Sequence, residues 1–137
     1  MKTSLKLLIF VLLFLPFSLS AQCLDHARKG ITTTLAGYVH NGAFNTTELK
    51  ANESVELIEM FPAGKSYRVS VVSPQNLQNI RLEIFDMQRN SIQVVENSTS
   101  LIYDFTPATS QMLIIKVLAK SEAGTQTHCV AVLIGEK

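Results

Sequence analysis

Hydrophobic and polar residues alternate along most of the chain from about residue 44 onward, and turn residues interrupt the alternation every eight to twelve residues. The clearest run is residues 80–84, in which Arg81 and Glu83 separate three aliphatic residues. A period of two is typical of a half-buried β-strand. The same reasoning predicts inward-facing residues in four other runs, and a further short strand at residues 92–94. The inward residues are Val55, Leu57 and Phe61; Tyr67, Val69 and Val71; Leu101, Tyr103 and Phe105; Leu113, Ile115 and Val117.

About eight short, evenly spaced strands follow from this pattern. Turns are predicted at residues 62–65, 73–76, 86–90 and 106–110, which contain proline, glycine, asparagine, aspartate or serine. Such a series packs as two antiparallel sheets face to face. The sequence therefore predicts an all-β fold, an antiparallel β-sandwich of about eight strands, jelly-roll-like, with a short N-terminal helix.

The last apolar stretch, residues 127–134, differs from the other strands because both of its faces are apolar. Cys129, Ala131 and Leu133 point one way in an extended strand, and the alternate residues from Val130 to Ile134 point the other way. A strand of this kind is expected to be covered on both sides. We predict that it is a central strand of the sandwich.

Residues 24–39 carry the helical pattern. The pattern consists of apolar residues at spacings of three and four: Leu24, Ala27, Ile31, Leu35 and Tyr38. Gly30 and the threonines that follow it weaken the prediction, since glycine and β-branched residues are poor helix formers. A short helix is expected here, followed by a turn at residues 40–42.

The first 21 residues resemble a secretory signal peptide. Lys2 and Lys6 precede a nine-residue apolar run, residues 7–15, and small residues near Ala21 offer a cleavage site. A transmembrane helix needs about 20 apolar residues, so we expect cleavage after Ser20 or Ala21. The expected products are a signal peptide, residues 1–21, and a single domain, residues 22–137, that is secreted or periplasmic.

The chain contains two cysteines, Cys23 and Cys129. In an exported protein, two cysteines favour one disulfide. Two free buried thiols are the alternative. A Cys23–Cys129 bond would connect the start of the mature chain to the predicted central strand.

The charge balance gives no support to a nucleic-acid partner. The full chain has 12 basic and 11 acidic residues, and loss of Lys2 and Lys6 leaves ten basic residues and a formal net charge of −1. A nearly neutral chain has no electrostatic attraction to nucleic acid or to an acidic membrane surface. We expect no nucleic-acid partner and no stable membrane insertion after cleavage.

Catalytic patterns are missing from the sequence. The three histidines have no second ligand at metal spacing, and no serine lies in a Gly-x-Ser-x-Gly turn. A site made of Asp25, His26 and His128 is conceivable if the disulfide forms, but the adjacent strand residues at 128 and 129 point to opposite faces. We therefore predict a non-enzymatic protein with no catalytic residues, no cofactor and no metal.

Two features near residue 85 are candidate binding elements. Asp86 and Asn90 supply oxygens that a calcium ion uses, although an aspartate that bonds to backbone amides two residues on is the commoner arrangement. Phe85 shares the outward phase with Arg81 and Glu83, so these three residues are a candidate contact face.

Several segments resemble pre-peptidase C-terminal-type domains. Gly64 followed by the strand at residues 67–71, the run 82–86 with Asn90 after it, and Phe105-Thr106-Pro107 followed by residues 115–117 are similar to that family. The last strand, residues 129–135, resembles small exported bacterial proteins of unknown role. The resemblance implies a jelly-roll-like β-sandwich of the kind found beside secreted enzymes.

The sequence thus favours an exported, non-enzymatic β-sandwich that serves as a binding module or as an accessory or structural module, with a protein or glycan as partner. A carbohydrate- or calcium-binding module is the alternative.

Overall fold

A computed structural model describes the chain from Leu19 to Lys137, with side chains from Ala21 onward. These described residues form one α-helix and two antiparallel sheets. The elements in chain order are α1 (Leu19–Thr34), β1 (Val39–His40), β2 (Asn45–Leu49), β3 (Ser54–Phe61), β4 (Tyr67–Val72), β5 (Ile80–Phe85), β6 (Ser91–Val95), β7 (Leu101–Phe105), β8 (Gln111–Ala119) and β9 (His128–Glu136).

The strand pairing from β2 to β9 is nested, so that the first of these strands pairs with the last and the two middle strands pair with each other. β2 pairs with β9, β3 with β8, β4 with β7 and β5 with β6. Additional pairing of β4 with β9 and of β5 with β8 gives sheet A in the order β2-β9-β4-β7 and sheet B in the order β3-β8-β5-β6. β1 extends sheet A beside the end of β9. This arrangement is a jelly roll, which confirms the predicted all-β sandwich.

The main core lies between the two sheets. One face of each strand from β2 to β9 contributes to it. Contacts among the rings of Phe61, Tyr67 and Phe105 fill one end at centroid distances of 4.9–5.7 Å. Burying a large aliphatic or aromatic side chain contributes about 1.5–3 kcal/mol, so this layer stabilises the sandwich. Its buried leucine, isoleucine and valine residues are Leu49, Val69, Val71, Ile80, Leu82, Ile84, Leu101, Leu113, Ile115, Val117, Val130, Val132 and Ile134.

A second, smaller core lies on the outer face of sheet A, where α1 packs. Ala27 and Leu35 contact Val72, Ala131 and Leu133, all of them buried. Both faces of β9 are therefore covered, as its sequence predicts, and its residues from His128 to Gly135 are all buried. The predicted disulfide joins Cys23 to Cys129, with the two Cα atoms 5.5 Å apart, and fixes α1 to the centre of sheet A.

Gly30 has a packing role in this layer. A Cβ atom built at this position would lie 2.9 Å from Leu133 Cδ1 and from Val72 Cγ1. A side chain here would force Leu133, Val72 or the helix itself to shift. The glycine that weakens the helical pattern of the sequence is thus what allows α1 to approach sheet A closely.

Some predicted boundaries differ from those observed. The helix spans Leu19–Thr34 rather than residues 24–39, because the chain leaves the helix before Gly37, whose φ is +84°. β1 occupies part of the predicted turn at residues 40–42. Most of the predicted signal peptide lies outside the described residues, and its predicted end falls within α1. In the described part of the chain, no helix has the length and apolar character needed to cross a membrane.

Candidate binding surface

The outer face of sheet B carries a cluster of apolar side chains. Strand register places Ile58 of β3 beside Ile114 of β8, and Ile114 beside Phe85 of β5. The next row along the sheet pairs Met60 with Met112. Directly paired residues project from the same face, so these five side chains form one surface. We call Ile58, Met60, Phe85, Met112 and Ile114 the outer patch.

The outer patch is accessible to solvent although it is apolar. Ile58 and Met60 are each 51% exposed and Met112 is 41% exposed, whereas Ile114 between them is buried. Met87, in the turn after β5, is exposed as well. Clustered apolar residues on a folded domain mark an interaction site more often than scattered ones do. Methionine side chains are flexible and polarisable, which suits them to contact with a partner surface.

Ion pairs border the outer patch on one side. The row next to Ile58–Ile114–Phe85 consists of Glu56, Lys116 and Glu83. Glu83 is nearly buried and lies 2.9 Å from Arg81 Nη2 and 3.5 Å from Lys116 Nζ. Apolar centres with polar rims are the usual anatomy of protein interfaces.

Glu56 belongs to this border and is held by Arg89. The guanidinium donates two hydrogen bonds to the carboxylate, at 2.9 Å and 3.0 Å. These hydrogen bonds and the positive charge of Arg89 lower the pKa of Glu56. Glu56 is therefore ionised at neutral pH and presents a fixed, paired charge beside the apolar surface.

Asp86 forms a turn at the edge of the outer patch. Its Oδ1 accepts hydrogen bonds from the backbone N–H groups of Gln88 and Asn90, and its Oδ2 accepts one from Asn90 Nδ2. These hydrogen bonds lower the pKa of Asp86. The carboxylate thus acts as a turn-former, and Asn90 turns its amide nitrogen, not an oxygen ligand, toward it. Among the described residues, no group of three His, Cys, Asp or Glu side chains can hold a metal ion.

The candidate contact face of Phe85, Arg81 and Glu83 takes a different form from the one expected. Phe85 joins the outer patch, while Arg81 and Glu83 pair with each other at its border. The register of β5 against β6 shifts between Ile84 and Phe85, and such a bulge re-aims the side chains next to it.

The structure separates His128 from Asp25 and His26. Asp25 is an exposed helix residue paired with Lys29 at 2.9 Å. His26 lines a groove of about 210 Å³ between α1 and β4. His128 is fully buried at the start of β9, in phase with the core residue Val130 rather than with Cys129, which faces α1. The sheet therefore lies between His128 and the other two residues.

A second recess opens at the side of the sandwich, between β2 and β3. Its volume is about 310 Å³, and we call it the edge slot. Its sides come from strands of both sheets, and its base reaches the main core. The lining residues are Asn45, Thr46, Thr47, Val55, Glu56, Leu57, Ile115 and Val132.

Sequence reasoning found Phe85 but missed the rest of the outer patch. The signal available was the pair of apolar residues, Ile58 and Met60, in the outward phase of β3, opposite to Val55 and Leu57. A similar exception is Met112 in β8. Only the register of β3, β8 and β5 shows that these residues are neighbours.

Comparison with solved structures finds a fold similar to the crystal structure of Aeromonas hydrophila PliG, a periplasmic lysozyme inhibitor of g-type lysozyme. The TM-score is 0.56 at 11% sequence identity, over 74% of this chain and 89% of that chain. No protein-family model matches the chain, and no curated protein matches it. The resemblance to pre-peptidase C-terminal-type domains therefore stays a prediction, and the chain shares a β-rich fold with an exported inhibitor protein.

Proposed function

We propose that this protein is an exported, non-enzymatic binding protein that attaches to another protein through the outer patch. The observation that carries the proposal is the pair of apolar rows on the outer face of sheet B, Ile58–Ile114–Phe85 and Met60–Met112. Ile58, Met60 and Met112 of these rows are exposed. Binding would remove this apolar area from water, at about 25 cal/mol per Å².

The ion pairs that border the outer patch favour binding of a specific partner over non-specific hydrophobic association. Glu56 with Arg89, and Glu83 with Arg81 and Lys116, place charges of both signs next to the apolar rows. Their pairing within the protein fixes the geometry of these side chains before a partner arrives. A partner must match that pattern, and mismatched charges at an interface are costly.

Export is the second part of the proposal. The disulfide between Cys23 and Cys129 favours an oxidising compartment, and the N-terminal residues resemble a signal peptide. The structural neighbour is a periplasmic protein. We propose that the chain works in the periplasm or outside the cell after removal of residues 1–21.

The partner that we propose is a lysozyme-type enzyme. Its support is the shared fold with an inhibitor of g-type lysozyme. Fold alone does not fix function, so the partner must be tested directly. The oxidised protein, residues 22–137, would be titrated against a g-type lysozyme, with binding followed by calorimetry and inhibition by the rate of cell-wall lysis.

Two matched variants locate the contact. Ile58→Lys places a charge in the outer patch and is expected to weaken binding by about 30-fold or more, the loss typical of a hot-spot residue of about 2 kcal/mol. Thr32→Lys places the same charge on the exposed side of α1 and is expected to leave binding unchanged. Equal affinity of the two variants would reject the outer patch as the contact, and failure of the unmodified protein to bind would reject a g-type lysozyme as the partner.

A further inference from the structure

The edge slot lies where the two sheets are not joined. Within residues 19–137, β2 pairs only with β9 and β3 pairs only with β8, so β2 and β3 each have one unpaired edge. The sandwich is open along this side. The resulting recess of about 310 Å³ is at the lower end of the size range of small-molecule sites.

The inside of the edge slot is apolar. Ile115 and Val132, which belong to the main core and are almost fully buried, form its base. Val55 and Leu57, which pack against the same core, form the β3 side. A hydrocarbon chain placed here would contact aliphatic side chains from both sheets.

The β2 side of the slot is polar but uncharged. Asn45 pairs with Val132 and Thr47 pairs with Val130. Since both valines face the main core, Asn45 and Thr47 project into the space between the sheets as well. Their amide and hydroxyl groups can donate and accept hydrogen bonds at the border of an otherwise apolar recess.

The charge of the lining discriminates between ligands. Glu56 is the charged residue of the lining, and its carboxylate is already held by Arg89 on the outer face of sheet B. No cationic side chain lines the slot. A ligand with a carboxylate or phosphate head would therefore lose water without gaining an opposite charge.

We infer that the edge slot binds a neutral amphiphile, a single alkyl chain with an uncharged, hydroxyl-bearing head. The alkyl chain of the ligand lies against Ile115, Val132 and Leu57. Its head group hydrogen-bonds to Asn45 and Thr47. At about 30 Å³ for each water-sized group, the volume holds about ten such groups. An alkyl chain of about eight carbons with the start of its head group fits this space.

The test compares two eight-carbon probes, n-octyl-β-glucoside and octanoate, with the oxidised protein, residues 22–137. Calorimetry and saturation-transfer NMR are carried out below the concentration at which either probe forms micelles. The neutral probe is expected to bind at least about tenfold more tightly than octanoate. Octanoate binding equal to or tighter than that of the glucoside, or no binding of the glucoside, would overturn the inference.

Two phenylalanine variants on β3 locate the site. Val55→Phe fills the slot and is expected to weaken glucoside binding by at least about tenfold. Ile58→Phe adds a similar ring to the outer patch on the other face of the strand and is expected to leave glucoside binding unchanged. Retention of full affinity by Val55→Phe would place the probe elsewhere on the surface and contradict the proposal.

Thr47→Val keeps the test decisive if Val55→Phe does not fold. This variant removes a hydroxyl with little change of shape and is expected to weaken glucoside binding by about two- to tenfold, the range for one neutral hydrogen bond. Octanoate binding should not change. The amphiphile site is independent of the protein-binding proposal, because Ile58→Lys should weaken partner binding and leave glucoside binding intact.

Discussion

Arg68 ties the end of the helix to sheet A by donating a hydrogen bond from Nη1 to the carbonyl oxygen of Thr34, 3.0 Å away. Thr34 is the last residue of α1, where carbonyl groups lack intrahelical partners. The same guanidinium binds the Asp104 carboxylate through Nε and Nη2 and stacks on the ring of Tyr38 at 4.7 Å. One side chain of β4 thus connects α1, β7 and the segment that follows the helix.

Arg68→Met should destabilise the fold by about 1.5–3 kcal/mol, the range for hydrogen bonds to charged groups, because it leaves Thr34 and Asp104 without their donor. Arg89→Met is the matched control, since Arg89 also binds a carboxylate through two nitrogens but is more exposed. Solvent-exposed ion pairs contribute about 0–1 kcal/mol to the free energy of unfolding. Urea unfolding of both variants measures the difference, and an equal, small loss would show that the Arg68 contacts are not structural.

Asp104 makes the Arg68 contact sensitive to acid. The hydrogen bonds and charge of Arg68 lower the pKa of Asp104 below its ordinary value of 3.8. A carboxylate whose pKa is lower in the folded state stabilises the fold above the unfolded value and loses that contribution as the pH falls through the folded value. Asp104→Asn should therefore flatten the dependence of unfolding free energy on pH below about 4, as measured by urea unfolding at several pH values. An unchanged slope would show that Arg68 does not favour the ionised form.

The disulfide should contribute more to stability than any single contact of α1. It links residues 106 positions apart, and closing a loop of about 100 residues is worth up to about 4.7 kcal/mol in the chain-entropy model. The double variant Cys23→Ser, Cys129→Ser should unfold at a lower urea concentration than the unmodified protein. Its amide-hydrogen exchange should be accelerated more in α1 than in sheet B. Uniform acceleration over both sheets would mean that the helix and the sandwich unfold together.

His128 is a buried histidine whose two ring nitrogens have no hydrogen-bond partner among the residues that the structure describes. A buried polar group without a partner costs about 1–3 kcal/mol. His128→Leu should therefore leave the free energy of unfolding unchanged or increase it, whereas His128→Ala should lower it by creating a cavity. Urea unfolding distinguishes these results, and a strong loss in His128→Leu would reveal a hydrogen bond that His128 needs.

The alternation of side chains predicted the sandwich because the apolar alternates of the strands face the main core. It predicted β9 as a central strand because the residues that alternate with Cys129, Ala131 and Leu133 are apolar as well. It did not identify β2 as a separate strand, since Asn45–Leu49 is mostly polar and obtains its place from pairing with β9. It extended the helix too far because Leu35 and Tyr38 keep the helical spacing after the helix has ended; Leu35 is buried under α1, and Tyr38 packs against the same cluster.

The candidate site was less predictable than the fold. Along the chain, about 30 residues separate Ile58 from Phe85 and Phe85 from Ile114. Only the strand register brings these three residues together. The edge slot depends on which strand edges stay unpaired, and no local pattern encodes that. The Cys23–Cys129 bond was predictable because a chain with two cysteines has one possible pairing.

Methionine methyl groups give a direct test of the outer patch. The sequence has four methionines; Met1 belongs to the predicted signal peptide, Met60 and Met112 lie in the outer patch, and Met87 lies in the turn after β5. A sample of residues 22–137 carrying ¹³C-methyl methionine would therefore give three signals, assigned by Met→Leu variants.

The decisive measurement is the methyl spectrum of this sample, recorded during titration with a lysozyme that calorimetry shows to bind. If the outer patch is the binding surface, the signals of Met60 and Met112 shift or broaden in proportion to the bound fraction. Saturation of the complex with both signals unchanged would contradict the account.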